Sequence, residues 1–400
     1  MNTRHTVDVL SPAIYADGPP WAEFAWLRAN APVYDHFLSD PHLLDRSWVL
    51  TRHEDVRAAS RDPETFSSAQ GIHLRRSATH QFRPNMINMD APEHQRIRKL
   101  VSSGFTPRVL RAFEEHYGDL ALAVVEQALA GGRTFDGIRA LAAELPLLAI
   151  CEITGAAAED RFRIFEWSNI VLSSEDPDYT PTPDAFQGAV TELIRFAAEL
   201  ADRKRNDPGD DLISALLGPD GTMPLTNDEY EGLVLLLLAA GNETTRSAIA
   251  GGLLAFAEYP DQWDVLRDDP ESTIDGAVEE VIRWVSPVNY MSRTATRDVV
   301  VHDQLIRTGD KVALLYSSAN RDESVFDDPD RFDVRRAPNH HVAFGFGAHF
   351  CLGATLARIE MRAILGVLVP RVRRFEVTGP VRRARSSFLN GIKELPLRAL

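Results

Sequence analysis

Cysteine is scarce in this chain: Cys151 and Cys351 are the two in 400 residues. That excludes the disulfide framework of a small secreted domain and fits a reducing compartment. Positive charge is also short. Lys and Arg number 43 against 58 Asp and Glu, a formal net charge of −15. This argues against a general nucleic-acid binder, while leaving room for a local basic patch. The N-terminus, Met1-Asn2-Thr3-Arg4-His5-Thr6-Val7-Asp8, holds no apolar core of signal-peptide or anchor length. Gly/Ser linkers, low-complexity tracts and internal repeats are missing as well.

What is present is the composition of a globular protein, 44% hydrophobic and 25% charged. The chain is long enough to bury a large core and enclose a cofactor. Length alone would allow two or three domains. Short strand-like pieces occur early, at Val33–Tyr34 and Trp48–Thr51. Helical patterning runs from about Glu93 to Trp284, and Arg293–Leu315 is strand-rich. A long helix follows Cys351, and from Phe375 on the chain is strand and turn. The expected fold class is mainly α with a minor β-sheet region. The longest apolar segment begins at Gly232-Leu233-Val234-Leu235-Leu236-Leu237-Leu238 and continues past Ile249 to Phe256. A membrane span is the naive reading. Asn242-Glu243-Thr244-Thr245-Arg246 interrupts it, and charges at a bilayer centre cost several kcal/mol. A central helix buried in a large protein fits better. Cys151, in an apolar helical stretch, reads as a small core residue.

Phe344-Gly345-Phe346-Gly347-Ala348-His349-Phe350-Cys351-Leu352-Gly353 is the most informative stretch. It places a sulfur at the start of a helix, where unpaired N–H groups and the helix dipole favour a thiolate. Glycines at 345, 347 and 353 let backbone and a flat ligand approach closely. A haem iron needs such a site for an axial thiolate. The plainer alternative is a structural cysteine beside a turn. With Phe344, Gly347, Cys351 and Gly353 in Phe-x-x-Gly-x-x-x-Cys-x-Gly spacing, the segment closely resembles the cysteine loop of the cytochrome P450 family. The likeness runs from about Trp21 to the end. It implies a single P450 domain over residues 1–400, with haem b held between a long central helix and the cysteine-loop helix, and Cys351 as the iron ligand.

The resemblance assigns further roles. Ala240-Gly241-Asn242-Glu243-Thr244-Thr245 matches the family's oxygen-activation motif, with Glu243 and Thr244 as the catalytic acid and alcohol. Thr244 can bond back to the Ala240 carbonyl and open the helix, and Gly241 leaves room above the haem. Phe344, Gly345, Gly353, Ala240 and Gly241 would contact the haem. His94, Arg98, Arg293 and His349 match its propionate partners. Glu280 and Arg283, three apart on one helix face, would form a structural triad with Arg331. The substrate pocket would be lined by the loop at roughly 71–87, by Leu236, Ala239, Val288 and Met291, and by Phe388–Leu389.

The resemblance also implies partners. No segment is left for a fused reductase, so electrons would come from a ferredoxin and its ferredoxin reductase. Arg96, Lys99, Arg108, Arg111, Arg358, Arg362, Arg371, Arg373 and Arg374 could form a docking patch, or could be scattered solvated charges. Without an anchor the protein is expected to be cytoplasmic, and nothing requires more than a monomer. Asn88-Met89-Asp90-Ala91-Pro92-Glu93-His94 and Ser318-Ala319-Asn320-Arg321-Asp322-Glu323 resemble actinobacterial members acting on steroids, terpenoids and branched lipids. The implied reaction spends O2, two electrons and two protons to hydroxylate a lipophilic small molecule, a steroid or terpenoid being favoured. Tailoring of a polyketide, peptide or aromatic natural product is the alternative. A non-catalytic haem-binding sensor or scaffold is a remote one.

Overall fold

The computed structural model describes residues 7–37, 43–74, 83–218 and 221–400. Its axis is the helix Asn227–Glu258. Thr226 caps it, with its side chain on the Glu229 N–H and the Glu229 carboxylate on the Thr226 N–H, a reciprocal capping box. The helix is apolar nearly all round because neighbours cover it on every side. The helices Glu144–Thr154, Arg161–Leu172, Pro183–Asn206 and Pro270–Val285 all pack against it.

Two other long helices, Pro107–Ala130 and Pro183–Asn206, begin alike, with a threonine N-cap (Thr106, Thr182) followed by proline. Proline's fixed φ suits the first helical position, where its missing N–H costs nothing. The cysteine-loop helix, Ala354–Leu368, lies along Pro107–Ala130.

A five-stranded sheet forms the other layer, in the order Val33–Phe37, Arg46–Leu50, Lys311–Leu315, Tyr290–Ala295, Phe66–Ser67. Arg46–Leu50 and Lys311–Leu315 are parallel, and the other pairs are antiparallel. Met291 stands opposite Leu314 and Arg293 opposite Val312. Among the described residues there are three smaller sheets, one of which joins Pro396–Ala399 to Thr134–Asp136 and Phe375–Val377.

The mainly helical architecture with a minor sheet is as the sequence implies. Among the described residues, no helix is long and apolar enough to cross a membrane. The helix after the cysteine begins at Ala354, and the residues just before it form a turn.

Candidate active site

The cysteine loop is folded by its own backbone. The Gly345 N–H donates to the Val342 carbonyl, Phe350 N–H to Gly347, and Cys351 N–H to Phe344, the last at 2.9 Å. Gly347 has φ +72°, and a Cβ there would lie 2.3 Å from the Ser60 carbonyl oxygen, so only glycine fits. Cys351 lies deep in the protein yet is exposed, because it faces a cavity. Burial pushes its thiol up, while the Gly353 N–H and the charges of Arg98 and Arg358 pull the other way. Burial wins. The N–H at the helix start thus favours a thiolate, as the sequence implies, but not enough to offset burial, and a bound metal cation would complete the deprotonation of this sulfur.

The cavity encloses about 1430 Å³ of space, its open mouth included. The helix Glu93–Val101 brings His94 and Arg98 to its wall, the strand Tyr290–Ala295 brings Arg293, and the cysteine loop brings His349. The rings of His94 and His349 are 4.2 Å apart, centre to centre. Arg98 donates to the Phe350 carbonyl at 2.7 Å, tying this helix to the cysteine loop. Burial, then the Arg98 charge, lowers His94. Burial, then Arg293, His94 and Arg98, brings His349 down to about 3. Both imidazoles are thus neutral donors beside two permanent cations. Among the described residues, neither Arg98 nor Arg293 is ion-paired to a carboxylate. A thiol, two guanidinium groups without a carboxylate partner, two neutral imidazoles and walls that are mainly apolar but include Thr244, Thr245, Tyr316 and Glu360 fit a flat apolar group carrying iron and carboxylates, which is haem.

The central helix supplies Ala240, Gly241 and Thr244 to the same wall. Thr244 Oγ1 donates to the Ala240 carbonyl at 2.8 Å, the back-bond its spacing implies. The missing Cβ of Gly241 would point toward Ile150 Cδ1, at 3.1 Å, so the glycine admits a neighbouring helix as well as opening the cavity. Glu243 does not reach the wall. It is buried and paired with Arg246, which lies over the Phe165 ring. Three residues along a helix turns the chain back to the same face, so this partner was legible in Glu243-Thr244-Thr245-Arg246 and was missed. Phe344, Gly345 and Gly353 border the cavity, together with Leu236, Val288 and Met291.

Other expectations are corrected. Ala239 is buried but not on the cavity wall. Phe388 packs on His73 and Tyr290, and Leu389 bridges to Val288, so both belong to a neighbouring core cluster. Of the loop at 71–87, residues 75–82 lie outside the described residues, while Met86 and Ile87 do border the cavity. Arg331 is not the third member of the triad. Its side chain is 63% exposed and 4.0 Å from Asp333. Arg336 fills that role, 3.2 Å from Glu280, because Arg331 offers the buried pair only its carbonyl. The basic residues are also less free than expected. Arg96 pairs with Glu229, Arg358 with Glu279, and Arg362 with Asp275 and Glu114. Lys99, Arg111, Arg371, Arg373 and Arg374 show no ion pair among the described residues, and the side chain of Arg108 lies outside them.

A model of the cytochrome P450 family matches residues 149–392. A steroid C26-monooxygenase from Rhodococcus jostii is 39% identical over 98% of this chain and 84% of that protein. A methyl-branched lipid omega-hydroxylase from Mycobacterium tuberculosis is 40% identical, covering 94% and 90%. The structure of a Mycobacterium marinum cytochrome P450 in complex with pseudoionone superposes with a TM-score of 0.91 at 34% identity, covering 98% of each chain. The chain belongs to the cytochrome P450 family. It is a monooxygenase whose cofactor is haem with a cysteine thiolate on the iron.

Proposed function

We propose that this protein acts as a single P450 domain over residues 1–400 and hydroxylates a steroid, or a terpenoid of similar shape, at an unactivated carbon. The observation that carries this reading is the wall beyond Thr244. There Ile87, Leu236, Val288 and Met291 offer only apolar contact, which suits a lipophilic substrate fixed by shape. The names of the curated relatives, a steroid C26-monooxygenase and a lipid omega-hydroxylase, point the same way.

When bound, the haem supplies O2 cleavage and transfer of one oxygen atom to carbon. Cys351 holds its iron. Arg98 and Arg293 neutralise its propionates, with His94 and His349 donating beside them. Thr244 has committed its hydroxyl hydrogen to Ala240, so Oγ1 presents lone pairs to the cavity and orients a donor there. Glu243, one residue earlier, takes protons on the side away from the cavity and passes them toward Thr244 by leaving Arg246. The apolar wall excludes water and holds the substrate carbon near the reaction centre. Electrons come from a ferredoxin and its reductase, drawn by the unpaired cations Lys99, Arg111, Arg371, Arg373 and Arg374. First-electron transfer indifferent to salt would count against that docking. The protein is a cytoplasmic monomer in this reading.

The test is an optical titration of the ferric protein with steroids, terpenoids, fatty acids and aromatic acids. A saturable blue shift of the haem band with steroids or terpenoids is the expected result. A shift with aromatic acids alone would overturn the substrate assignment.

A further inference from the structure

None of this chemistry uses Glu360. It lies on the cysteine-loop helix, is 1% exposed and forms part of the haem-cavity wall. Its Oε2 is buried without a hydrogen-bond partner. Tyr117, from the facing helix Pro107–Ala130, is fully buried, and its hydroxyl is also without one. The two groups sense each other, since charge on Glu360 adds to burial in raising the Tyr117 phenol.

The charged groups on the surrounding elements are engaged elsewhere. Arg358 and Arg362, on the same helix, pair with Glu279 and with Asp275 and Glu114. Glu152, from the helix Glu144–Thr154, lies 3.8 Å from His116. Arg246 of the central helix is paired with Glu243. Arg98 donates to Phe350. An isolated carboxylate in such a place is costly. Burial alone pushes Glu360 up to about 8, so it is neutral at neutral pH and has no cation to release.

We propose that Glu360 is a proton-accepting group of the haem site and couples reduction of the iron to proton uptake above neutral pH. This rests on the reading that Cys351 holds haem iron in this cavity. The balance is one electron from the donor to ferric iron and one proton from solvent to the Glu360 carboxylate, forming an O–H bond and breaking none in the protein. The sign follows from charge. An added electron makes the site more negative, so the carboxyl holds its proton more tightly in the reduced protein. Below the oxidised-state value Glu360 is protonated in both states and the coupling vanishes. Above it the reduction potential falls as pH rises.

The experiment is a spectroelectrochemical titration of the haem-loaded protein from about pH 6 to about pH 10. The wild-type potential should be level at the acid end. Above about pH 8 it should fall by up to ~59 mV per pH unit, one tenfold change in proton activity for a one-electron couple. Glu360→Gln should keep it level throughout. Parallel profiles for the two proteins would overturn the proposal. A second measurement needs no change at position 360. The infrared difference spectrum between oxidised and reduced wild-type protein, recorded above pH 8, should show a carboxylic-acid band appearing on reduction, and Tyr117→Phe should displace it. A missing band, or one that Tyr117→Phe leaves in place, refutes it. The carbon monoxide complex of the reduced protein separates the two levels. A thiolate-type spectrum with a level potential defeats only the role of Glu360. A spectrum without thiolate character removes the haem–Cys351 reading, and this proposal with it.

Discussion

At Glu280 a fully buried carboxylate is met by Arg283 from its own helix, by Arg336 and Asn339, and by the backbone N–H of Asp333. Arg283 in turn donates to the Asn320, Pro329 and Arg331 carbonyls, so one guanidinium organises the irregular chain that leads to the cysteine loop. Removing Arg336 takes away charge-assisted hydrogen bonds to this carboxylate but leaves Arg283 to compensate it, so the loss is that of hydrogen bonds to a charged group rather than of a whole buried pair. Arg336→Met should therefore destabilise the protein by ~1.5–3 kcal/mol, while Arg331→Met should stay within about 0.5 kcal/mol. Urea unfolding followed by tryptophan fluorescence checks both, and equal effects would mean that the two arginines have been assigned the wrong way round. The Glu280–Arg283 half of this cluster was legible because helical spacing fixes which side chains meet. The third member, a second cation, was not, because residues between Asn320 and Phe344 have no period to say which arginine turns inward. Cys351 and Thr244 were legible for a related reason, since each is flanked by residues that set its backbone locally.

The central helix shows the same division at the scale of an element. Its apolar run and polar interruption were readable, and both identify a buried helix with a site in its middle. How closely it approaches its neighbours was not readable, because several of its glycines look alike in sequence. A Cβ on Gly252 would lie 2.7 Å from Val281 Cγ1, and one on Gly251 2.6 Å from Val285 Cγ2. Both valines belong to the helix Pro270–Val285 and are stiff at χ1. On the cysteine-loop helix, a Cβ on Gly366 would meet only Ile274 Cδ1, at 3.8 Å. Gly252→Ala should therefore destabilise by ~1–3 kcal/mol through overpacking, despite alanine's better helix propensity. Gly366→Ala should stabilise by ~0.5–1 kcal/mol, the propensity gain alone. Chemical denaturation of the two variants decides it. A stabilised Gly252→Ala would show that the helices can part at little cost and would remove close approach as the reason for that glycine.

Across the whole molecule, buried carboxyls pull stability in two directions as pH changes. Burial works against Asp176, but Lys393 and the backbone N–H groups of Arg385 and Asp178 hold it below its ordinary value. Asp322, also disfavoured by burial, is held down by Ser324 and the His53 N–H. Glu279, half-buried and so also opposed by desolvation, is brought to about 2 by Arg358 and His341. Each of these contributes stability that is present above its unfolded value and lost as pH falls through the folded one. Glu360 has the opposite sign. Raised from 4.5 to about 8 by burial, it binds a proton in the folded state that the unfolded chain has released. Its stabilisation is complete below the unfolded value and fades as pH rises toward the folded one. Stability should accordingly peak on the acid side of neutrality, between the loss of the paired carboxylates and the growing cost of keeping Glu360 protonated. Glutamine mimics the protonated acid without the titration. Wild type and Glu360→Gln should thus unfold alike near pH 4, then separate until the variant is more stable at pH 8 by on the order of a few kcal/mol. Thermal unfolding of both proteins across that range reads the difference directly. Curves that stay parallel would mean that Glu360 is ionised in the folded protein, and that water or an unseen partner offsets the burial that the helix packing imposes on it.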